Sequence, residues 1–238
     1  MTTAAGNEAV PTILLIGASR GLGLAMAVEF LKRNWNVVGT IRAGSDPTKL
    51  QALADQYPGR IAIETLDICD PGQITALRQR LSGRSFEILF VNAGVTNDPK
   101  ETIGEVTTDE FIRVMVTNAL SPMRVIESLA DLVSAEGLIG IMSSGQGSVA
   151  NNTKGMRVVY RGSKAALNQF MRSYAARPSE SSRAMVLMAP GWVRTEMGGS
   201  DAPLTIEESV PNLVHVLLKK QGHPGLEYLD YLGRTVSW

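Results

Sequence analysis

Residues 12–23 of this 238-residue chain read TILLIGASRGLG. The first five, Thr12–Ile16, are apolar or β-branched and have the length of a buried strand. Glycines follow at three of the next seven positions, and a helical pattern begins at Leu22. Glycine occurs at such turns for steric reasons alone, but it also lets the backbone approach a phosphate where free helix N–H groups favour an anion. At the first strand–helix junction, the stretch predicts a nucleotide site.

Strand and helix patterns alternate along the rest of the chain. The predicted strands are Thr12–Ile16, Asn36–Ile41, Ile61–Leu66, Glu87–Val91, Leu138–Met142 and Ala184–Met188. The predicted helices are Leu22–Arg33, Thr48–Gln56, Gly72–Leu81, Asp109–Ser134 (with a break at Asn118-Ala119), Val158–Ala176 and Ile206–Lys220, before a C-terminal tail. Apolar strands joined by helices predict a doubly wound parallel sheet (Rossmann fold) in three α/β/α layers. Without a repeat or linker, we expect one domain over residues 1–238.

Composition excludes several classes of function. The chain has 23 basic and 23 acidic residues, so no overall field attracts nucleic acid or an anionic membrane. The first eleven residues, MTTAAGNEAVP, lack the features of a signal peptide, and the apolar runs are too short to cross a bilayer. Cys69 is the only cysteine and is interpreted as a small packed residue; His215 and His223 are too separate for a metal site. We expect a cytoplasmic protein without a metal.

The glycine spacing, G-x-x-x-G-x-G, resembles that of the short-chain dehydrogenase/reductase family. It is neither the G-x-G-x-x-G of most dinucleotide folds nor a P-loop, because no Gly-Lys-Ser/Thr follows. The family usually has threonine before the first glycine, where this chain has Ile16; the change removes one local hydrogen bond but no phosphate contact. The resemblance implies cofactor contacts from Gly17, Ser19, Arg20, Gly21, Leu22 and Gly23.

The end of the second strand predicts the choice of dinucleotide. NAD-binding sheets generally place an acidic residue there to accept the ribose hydroxyls. Here the position is Ile41, followed by Arg42, which can pair bidentately with a 2′-phosphate. Arg20 is a second candidate cation, and Thr40 could donate a hydroxyl. Arg42 could instead be a solvated strand-end residue, but with the acid also missing we expect NADP(H).

Two later strand ends match the family on the adenosine side. By resemblance, Asp67 and the following Ile68 contact the adenine. Asp67 could alternatively cap the next helix, although Asp70 fits that role better. Asn92-Ala93-Gly94, after the fourth strand, matches the family's N-A-G, whose small residues let the backbone pass close to the adenosine ribose.

Tyr160 and Lys164 lie four residues apart and therefore on one face of a helix. A free tyrosine titrates near pH ~10. A neighbouring ammonium lowers that pKa, so the phenol could donate a proton to a developing alkoxide. Ser144 matches the family's substrate-binding serine, whereas Ser143 is expected to be a cap or turn residue. Asn118, at the helix break, matches the asparagine that binds a proton-relay water, which completes a tetrad.

Pro190-Gly191-Trp192-Val193-Arg194-Thr195 is close to the family's P-G-x-V-x-T. The resemblance implies that the Val193 backbone holds the nicotinamide carboxamide and that Thr195 reaches the carboxamide or the pyrophosphate. Pro190 and Gly191 belong to the same cofactor-binding motif. Trp192 is either a pocket wall or core packing, and the pattern does not decide between them.

The runs GSVANNT, SKAALNQF, APGWVRTEMGG and EYLDYLGRTVSW resemble the C-factor and sniffer-type carbonyl reductase branch of the family. About ten residues separate Thr195 from the next helix, which leaves little material for a substrate lid. An open site for assorted carbonyl compounds is therefore expected. Its expected lining is Asn151, Asn152, Met156, Trp192 and Met197.

The expected function is hydride transfer between NADP(H) and a carbonyl or alcohol substrate, in which NADPH reduces an aldehyde or ketone or, in reverse, NADP+ accepts hydride from an alcohol. The alternative, implied by the C-factor resemblance, is a cofactor-binding signalling or regulatory protein with little turnover. A complete tetrad favours the enzyme, because a sensor has no need of Tyr160. Relatives often pair through the helices that correspond to Leu120–Ser134 and Val158–Ala176, so a homodimer is expected.

Overall fold

A computed structural model describes residues 10–44 and 48–238. In this part of the chain, seven parallel strands form one sheet in the order β3-β2-β1-β4-β5-β6-β7. The strands are β1 (Thr12–Ile16), β2 (Asn36–Ile41), β3 (Ile61–Thr65), β4 (Phe86–Val91), β5 (Val133–Met142), β6 (Ala184–Ala189) and β7 (Gly225–Asp230). The helices are α1 (Gly21–Lys32), α2 (Thr48–Gln56), α3 (Pro71–Arg80), α4 (Thr108–Met115), α5 (Ser121–Leu129), α6 (Val158–Ala175) and α7 (Ile206–Lys220). The predicted doubly wound parallel sheet is confirmed.

The first strand shows why the fold has three layers. Residues 13–16 are fully buried, because helices cover both faces of the sheet. Since successive side chains of a strand point to opposite faces, Ile13 and Leu15 pack in a core cluster with α1, α2 and α7. Leu14 and Ile16 pack in a second cluster with α3, α5 and α6.

The strand order places the functional crevice. From β1 the chain winds outward through β2 and β3, then returns to place β4 on the other side of β1. The loops that leave β1 and β4 therefore separate at the carboxyl edge of the sheet. Ligands of open α/β sheets bind at such a switch point.

The predicted helix Asp109–Ser134 is wrong in its extent. It divides into α4, a π-helical turn at Val116–Leu120 and α5, and then a 3-10 turn at Ala130–Leu132 leads directly into β5. The break expected at Asn118-Ala119 is confirmed, with Pro122 in the first turn of α5. The strand expected from Leu138 begins at Val133. Its first half contains the half-buried Ser134 and the exposed Glu136, so it lacks the apolar run of a buried strand.

The interpretation of the residues after Lys220 as a tail is also wrong. Gly225–Asp230 forms β7, which pairs in parallel with β6 from Ala184↔Gly225 to Ala189↔Asp230. As an edge strand it carries Glu227, whose carboxylate lies 2.7 Å from the ammonium of Lys220. This charged residue interrupts the apolar pattern that identified the central strands.

Cys69 is exposed, so its interpretation as a packed residue is wrong. Its sulfur lies 3.4 Å from the Thr117 hydroxyl. Within residues 10–44 and 48–238, no helix is long and apolar enough to cross a membrane, and no three His, Cys, Asp or Glu side chains cluster as metal ligands would. The sequence analysis considered residues 1–11 as a possible signal peptide, and residues 1–9 of this stretch lie outside the described residues.

Candidate cofactor and active site

The turn after β1 has a shape that depends on glycine. Gly17 has a φ of +89°, its N–H donates to Thr40 Oγ1 at 2.9 Å, and its carbonyl accepts from Asn92 Nδ2 at 2.8 Å. A Cβ on Gly23 would lie 2.0 Å from that carbonyl. Only glycine at position 23 lets α1 start so close to the preceding turn. The strand ends of β1, β2 and β4 are thereby joined around one short loop.

The start of α1 is suited to an anion. Arg20 is the N-cap residue in an extended conformation, its side chain makes no capping bond, and the first turn contains no acidic residue. The amides of that turn and the helix dipole therefore favour a phosphate. Ser19 is half-buried within the loop, and the Leu22 side chain packs against the cluster beneath α1.

Arg20 has a partner that the sequence did not indicate. Its Nη1 lies 2.8 Å from Glu196 Oε2, and both side chains are largely exposed. A Cβ on Gly21 would lie 3.9 Å from the methyl group of Thr195. The segment after β6 therefore lies against the glycine turn, as a dinucleotide that spans both segments requires.

At the end of β2, one expectation fails. Thr40 is 1% exposed, so its hydroxyl, which accepts the Gly17 N–H, is buried away from the surface where a 2′-phosphate would lie. Arg42 follows Ile41 at the strand end and is exposed. The position that holds a carboxylate in NAD-binding sheets is apolar here, so nothing there repels a phosphate.

The loop after β3 separates the roles of two aspartates. Asp70 caps α3, since its Oδ1 accepts N–H groups from Gly72 at 2.8 Å and Gln73 at 3.2 Å, as expected. Asp67 Oδ1 accepts the Cys69 N–H at 2.9 Å, which fixes its carboxylate without using it as a helix cap. The Ile68 side chain is buried in the core, so only its backbone can face a ligand.

Asn92, Ala93 and Gly94 connect β4 to the catalytic region. The Ala93 N–H donates to Ile16 O at 3.1 Å, which holds this segment against β1. A Cβ on Gly94 would lie 3.3 Å from Asn118 Oδ1 and 3.5 Å from Lys164 Nζ. The glycine thus marks the place where the π-helical turn and α6 approach each other.

Lys164 is buried on α6 at 3% exposure. Its Nζ donates to Met142 O at 2.9 Å and lies 5.9 Å from the centroid of the Tyr160 ring. Burial lowers the pKa of its ammonium from 10.5 to about 8, because the charged form loses hydration. The lysine therefore stays mostly charged at neutral pH.

Burial raises the pKa of the Tyr160 phenol above its usual value near 10. A hydrogen bond with Ser144 and the positive charge of Arg157 oppose this shift without cancelling it. Arg157 adopts the left-handed conformation, φ 61°, directly before α6. In this structure Ser144 and Arg157, rather than the expected Lys164, are the groups that lower the pKa of Tyr160.

Asn118 uses its whole side chain to join two elements. Its Oδ1 accepts the Val95 N–H at 2.8 Å, and its Nδ2 donates to Val95 O at 2.8 Å and to Ser163 Oγ at 2.9 Å. The side-chain amide of Asn118 therefore already has three protein contacts at the place where the sequence predicted a relay water.

The two serines after β5 have different environments. Ser143 is buried and its Oγ donates to Asn168 Oδ1 at 2.6 Å, which agrees with the structural role expected for it. Ser144 is half-buried, and its Oγ accepts the Gln146 N–H at 3.1 Å beside the phenol of Tyr160. Ser144 is thus the serine that lies next to the candidate acid.

After β6 the backbone of Val193 forms an isolated parallel bridge with Leu204. Arg194 donates its N–H to Leu204 O at 2.9 Å, and Leu204 donates to Trp192 O at 3.2 Å. In such a parallel bridge, the N–H and C=O of the central residue, Val193, point to the other side. The Val193 carbonyl accepts the Thr195 hydroxyl at 3.4 Å.

The remaining motif residues have local partners. Thr195 Oγ1 accepts the Gly198 N–H at 3.0 Å, and Pro190 O accepts the Ser209 hydroxyl at 2.7 Å. Gly191 has a φ of +83°. Trp192 is 53% exposed, with its Nε1 bonded to Gly198 O at 2.7 Å, so the core-packing alternative is wrong. Asn151, Asn152, Met156 and Met197 are also exposed.

Comparison with known proteins decides the family. Residues 11–203 match the family model of the short chain dehydrogenases. The chain belongs to the short-chain dehydrogenase family. A family member from Burkholderia multivorans, solved with bound NADP, is 69% identical with a TM-score of 0.95, over 97% of this chain and 100% of that one.

Two further relatives confirm the branch that the sequence resembles. A carbonyl reductase from Pseudomonas aeruginosa PAO1, in complex with NADP, is 33% identical with a TM-score of 0.89, over 97% of this chain and 100% of that one. The C-signal protein of Myxococcus xanthus is 34% identical over 154 residues, 64% of this chain and 92% of its own length. The short-chain dehydrogenase resemblance and its carbonyl reductase branch are therefore confirmed.

Several residues near this short-chain dehydrogenase site were missed from the sequence. They are Gln146, Arg157, Asn168, Glu196 and Tyr228. Asn168 had a signal, since it lies one helical turn after Lys164 on the same face. The others contact the site through space, and no local spacing identifies them.

Proposed function

We propose that the protein is an NADPH-dependent carbonyl reductase with Tyr160 as its proton donor. The observation that carries the proposal is the meeting of Tyr160, Ser144, Lys164 and Asn118 at the carboxyl edge of the sheet, beside the glycine turn. A nucleotide site alone would need none of these four side chains.

Each side chain has a chemical task in reduction. Bound NADPH supplies the hydride. Tyr160 is protonated at neutral pH and can donate its phenol proton to the carbonyl oxygen as negative charge develops, and Ser144 and Arg157 oppose the burial that raises its pKa. The Ser144 hydroxyl positions that oxygen, the charge of Arg157 stabilises the phenolate that remains, and Lys164 is proposed to hold the cofactor ribose. Asn118 braces α6 through Ser163 and is proposed to bind a relay water.

The proposed preference for NADP(H) rests on the end of β2 and on the start of α1. Arg42 and Arg20 supply positive charge, and Ile41 replaces the carboxylate of NAD-binding sheets. The NADP-bound relatives support this assignment. The residues proposed to hold the cofactor are Gly17, Ser19, Arg20, Gly21, Leu22, Gly23, Arg42, Asp67, Ile68, Asn92, Ala93, Gly94, Tyr160, Lys164, Pro190, Gly191, Val193 and Thr195.

A small carbonyl or alcohol substrate would enter on the side of Trp192 and Met197. Both are exposed, as are Met156 and the two asparagines of the loop after Ser144. An open, partly apolar entrance favours assorted carbonyl compounds over one tightly enclosed substrate. The homodimer, the single-domain organisation and the cytoplasmic location stay predictions.

Turnover of a carbonyl panel by wild type and Tyr160→Phe tests the proposal. The variant should lose at least ~10²-fold in kcat and bind NADPH nearly as tightly, because only proton donation is removed. Tyr57→Phe, which alters a tyrosine after α2, is the control and should keep wild-type turnover.

The same assay tests the alternative of a cofactor-binding signalling or regulatory protein, which the match to the C-signal protein favours. A wild type that binds NADPH but reduces no member of the panel faster than Tyr160→Phe would contradict the reductase. It would favour a signalling or regulatory role.

A further inference from the structure

A buried tyrosine from the last strand reaches the peptide of the candidate catalytic serine. Tyr228, in β7, is 1% exposed and pairs with Leu187 of β6. Its hydroxyl donates a hydrogen bond to the carbonyl of Ser144, 84 positions earlier. The same carbonyl accepts the Gly147 N–H at 2.8 Å. Tyr228 therefore fixes the short turn that begins at Ser144.

Helix α6 holds the same turn from the other side. Asn168 accepts the Ser143 hydroxyl at 2.6 Å and donates to Gly147 O at 3.3 Å. A Cβ on Gly147 would lie 2.9 Å from Lys164 Cβ, so the turn is in close contact with the helix. Asn168 thus ties the residues before and after Ser144 to the helix that carries Tyr160 and Lys164, whereas Tyr228 alone ties the Ser144 peptide to the end of the sheet.

Tyr228 is itself held by the residues that follow β7. The Val236 N–H donates to Tyr228 O at 2.8 Å, and the Trp238 ring lies 5.5 Å from the tyrosine ring between centroids. Trp238 O also accepts the Ala150 N–H at 3.0 Å. One C-terminal segment therefore supports both Tyr228 and the loop that follows Ser144.

We propose that Tyr228 is a positioning residue for the reduction proposed above, because it sets the orientation of the Ser144 peptide and hence the place of the Ser144 hydroxyl beside Tyr160. The inference rests on that proposed function. Burial raises the pKa of the Tyr228 phenol, so it remains a hydrogen-bond donor across the physiological range. Without this donor, the Ser144 carbonyl keeps the Gly147 bond but loses its link to β7, so the Ser144 peptide is held less firmly between the Asn168 contacts.

Tyr228→Phe removes the hydroxyl and keeps the ring that packs on Trp238. Its matched control is Tyr174→Phe, because Tyr174 is buried in the same core cluster and its hydroxyl lies beside Glu180, away from Ser144. Both variants are compared with wild type by hydrogen–deuterium exchange of the peptide that covers residues 143–150, by NADPH titration, and by kinetics with NADPH and its 4-deuterated form.

Tyr228→Phe should exchange the amide of Gly147 and its neighbours several-fold faster and lower kcat by about fivefold, the effect of one net hydrogen bond. NADPH affinity should stay within twofold, and the deuterium isotope effect on kcat should not fall, since chemistry is the slowed step. Tyr174→Phe should leave both exchange and kcat unchanged.

Each result has one meaning for the proposal. Unchanged exchange in Tyr228→Phe overturns the anchoring of Ser144, whatever the activity. Faster exchange with wild-type kcat overturns the positioning role and leaves the reductase in place. A wild type with no turnover contradicts the proposed function, and with it the positioning role, even where exchange shows that Tyr228 anchors the turn.

Discussion

Removing the buried ammonium of Lys164 should change how stability depends on pH. Its pKa is about 8 in the folded protein and 10.5 without burial, so between these values the unfolded chain binds more protons than the folded one. Stability therefore rises with pH across this window. Lys164→Met lacks the titrating group and should show no such rise.

The size of the rise follows from the two pKa values. Between pH 7 and 9.5 the folded-state lysine becomes almost fully neutral while the unfolded one stays charged. Wild type should therefore gain about 2 kcal/mol in unfolding free energy over this range, relative to Lys164→Met. Above pH 10 the tyrosines act in the opposite direction, since Tyr174, with a pKa of about 12, keeps its proton only when folded.

Urea unfolding of the cofactor-free protein, followed by circular dichroism at several pH values from 7 to 9.5, measures both slopes. Met171→Leu is the control. It changes a buried residue of the same helix that carries no titrating group and retains Lys164, so its slope should match that of wild type. A wild-type slope equal to that of Lys164→Met would refute the reasoning, because Lys164 would then gain or lose no proton on unfolding.

Four further changes test the cofactor site and helix α6. Arg42→Ala should weaken NADPH binding about tenfold or more and leave NADH binding unchanged, since a charge-assisted phosphate contact is lost. Glu196→Gln should tighten NADPH binding by about two- to fivefold, because it frees Arg20 from an exposed ion pair. Calorimetric titration measures both affinities. A variant that binds NADPH as tightly as wild type would contradict the role proposed for the residue it replaces. Gly23→Ala should abolish NADPH binding and lower Tm, because the new Cβ would meet Gly17 O at 2.0 Å. Gly162→Ala, with open space around its Cβ, should instead stabilise α6 by about 0.5–1 kcal/mol in the same melts.

The central sheet could be predicted because burial on both faces leaves a direct mark on composition. Thr12–Ile16 and Ala184–Ala189 are nearly continuous apolar runs, and both were identified to within a residue. The edge strand β7 has Glu227 in its middle and only one neighbour in the sheet, so its pattern is mixed. The boundary between α5 and β5 was not predicted, because only three residues separate the helix from the strand.

The candidate site likewise contains some contacts that the sequence predicts and others that it does not. Tyr160 and Lys164 lie one helical turn apart, so their proximity follows from sequence spacing. The contact of Thr40 with Gly17, and that of Tyr228 with Ser144, join residues from different strands. Such contacts depend on strand order and on side-chain direction, which no local pattern contains.

The π-helical turn shows how the fold places its polar residues. Such turns insert an extra residue into a helix and are frequent at functional sites. Here the turn contains Asn118, which is fully buried and bonded to Val95 after β4 and to Ser163 on α6. One amide therefore links the loop that carries Gly94 to the helix that carries Lys164. Both ends of the Asn118 amide have hydrogen-bond partners. Asn118→Ala would therefore leave the Val95 N–H and C=O without their hydrogen bonds to Asn118, and the first structural effect would be a shift in the position of α6.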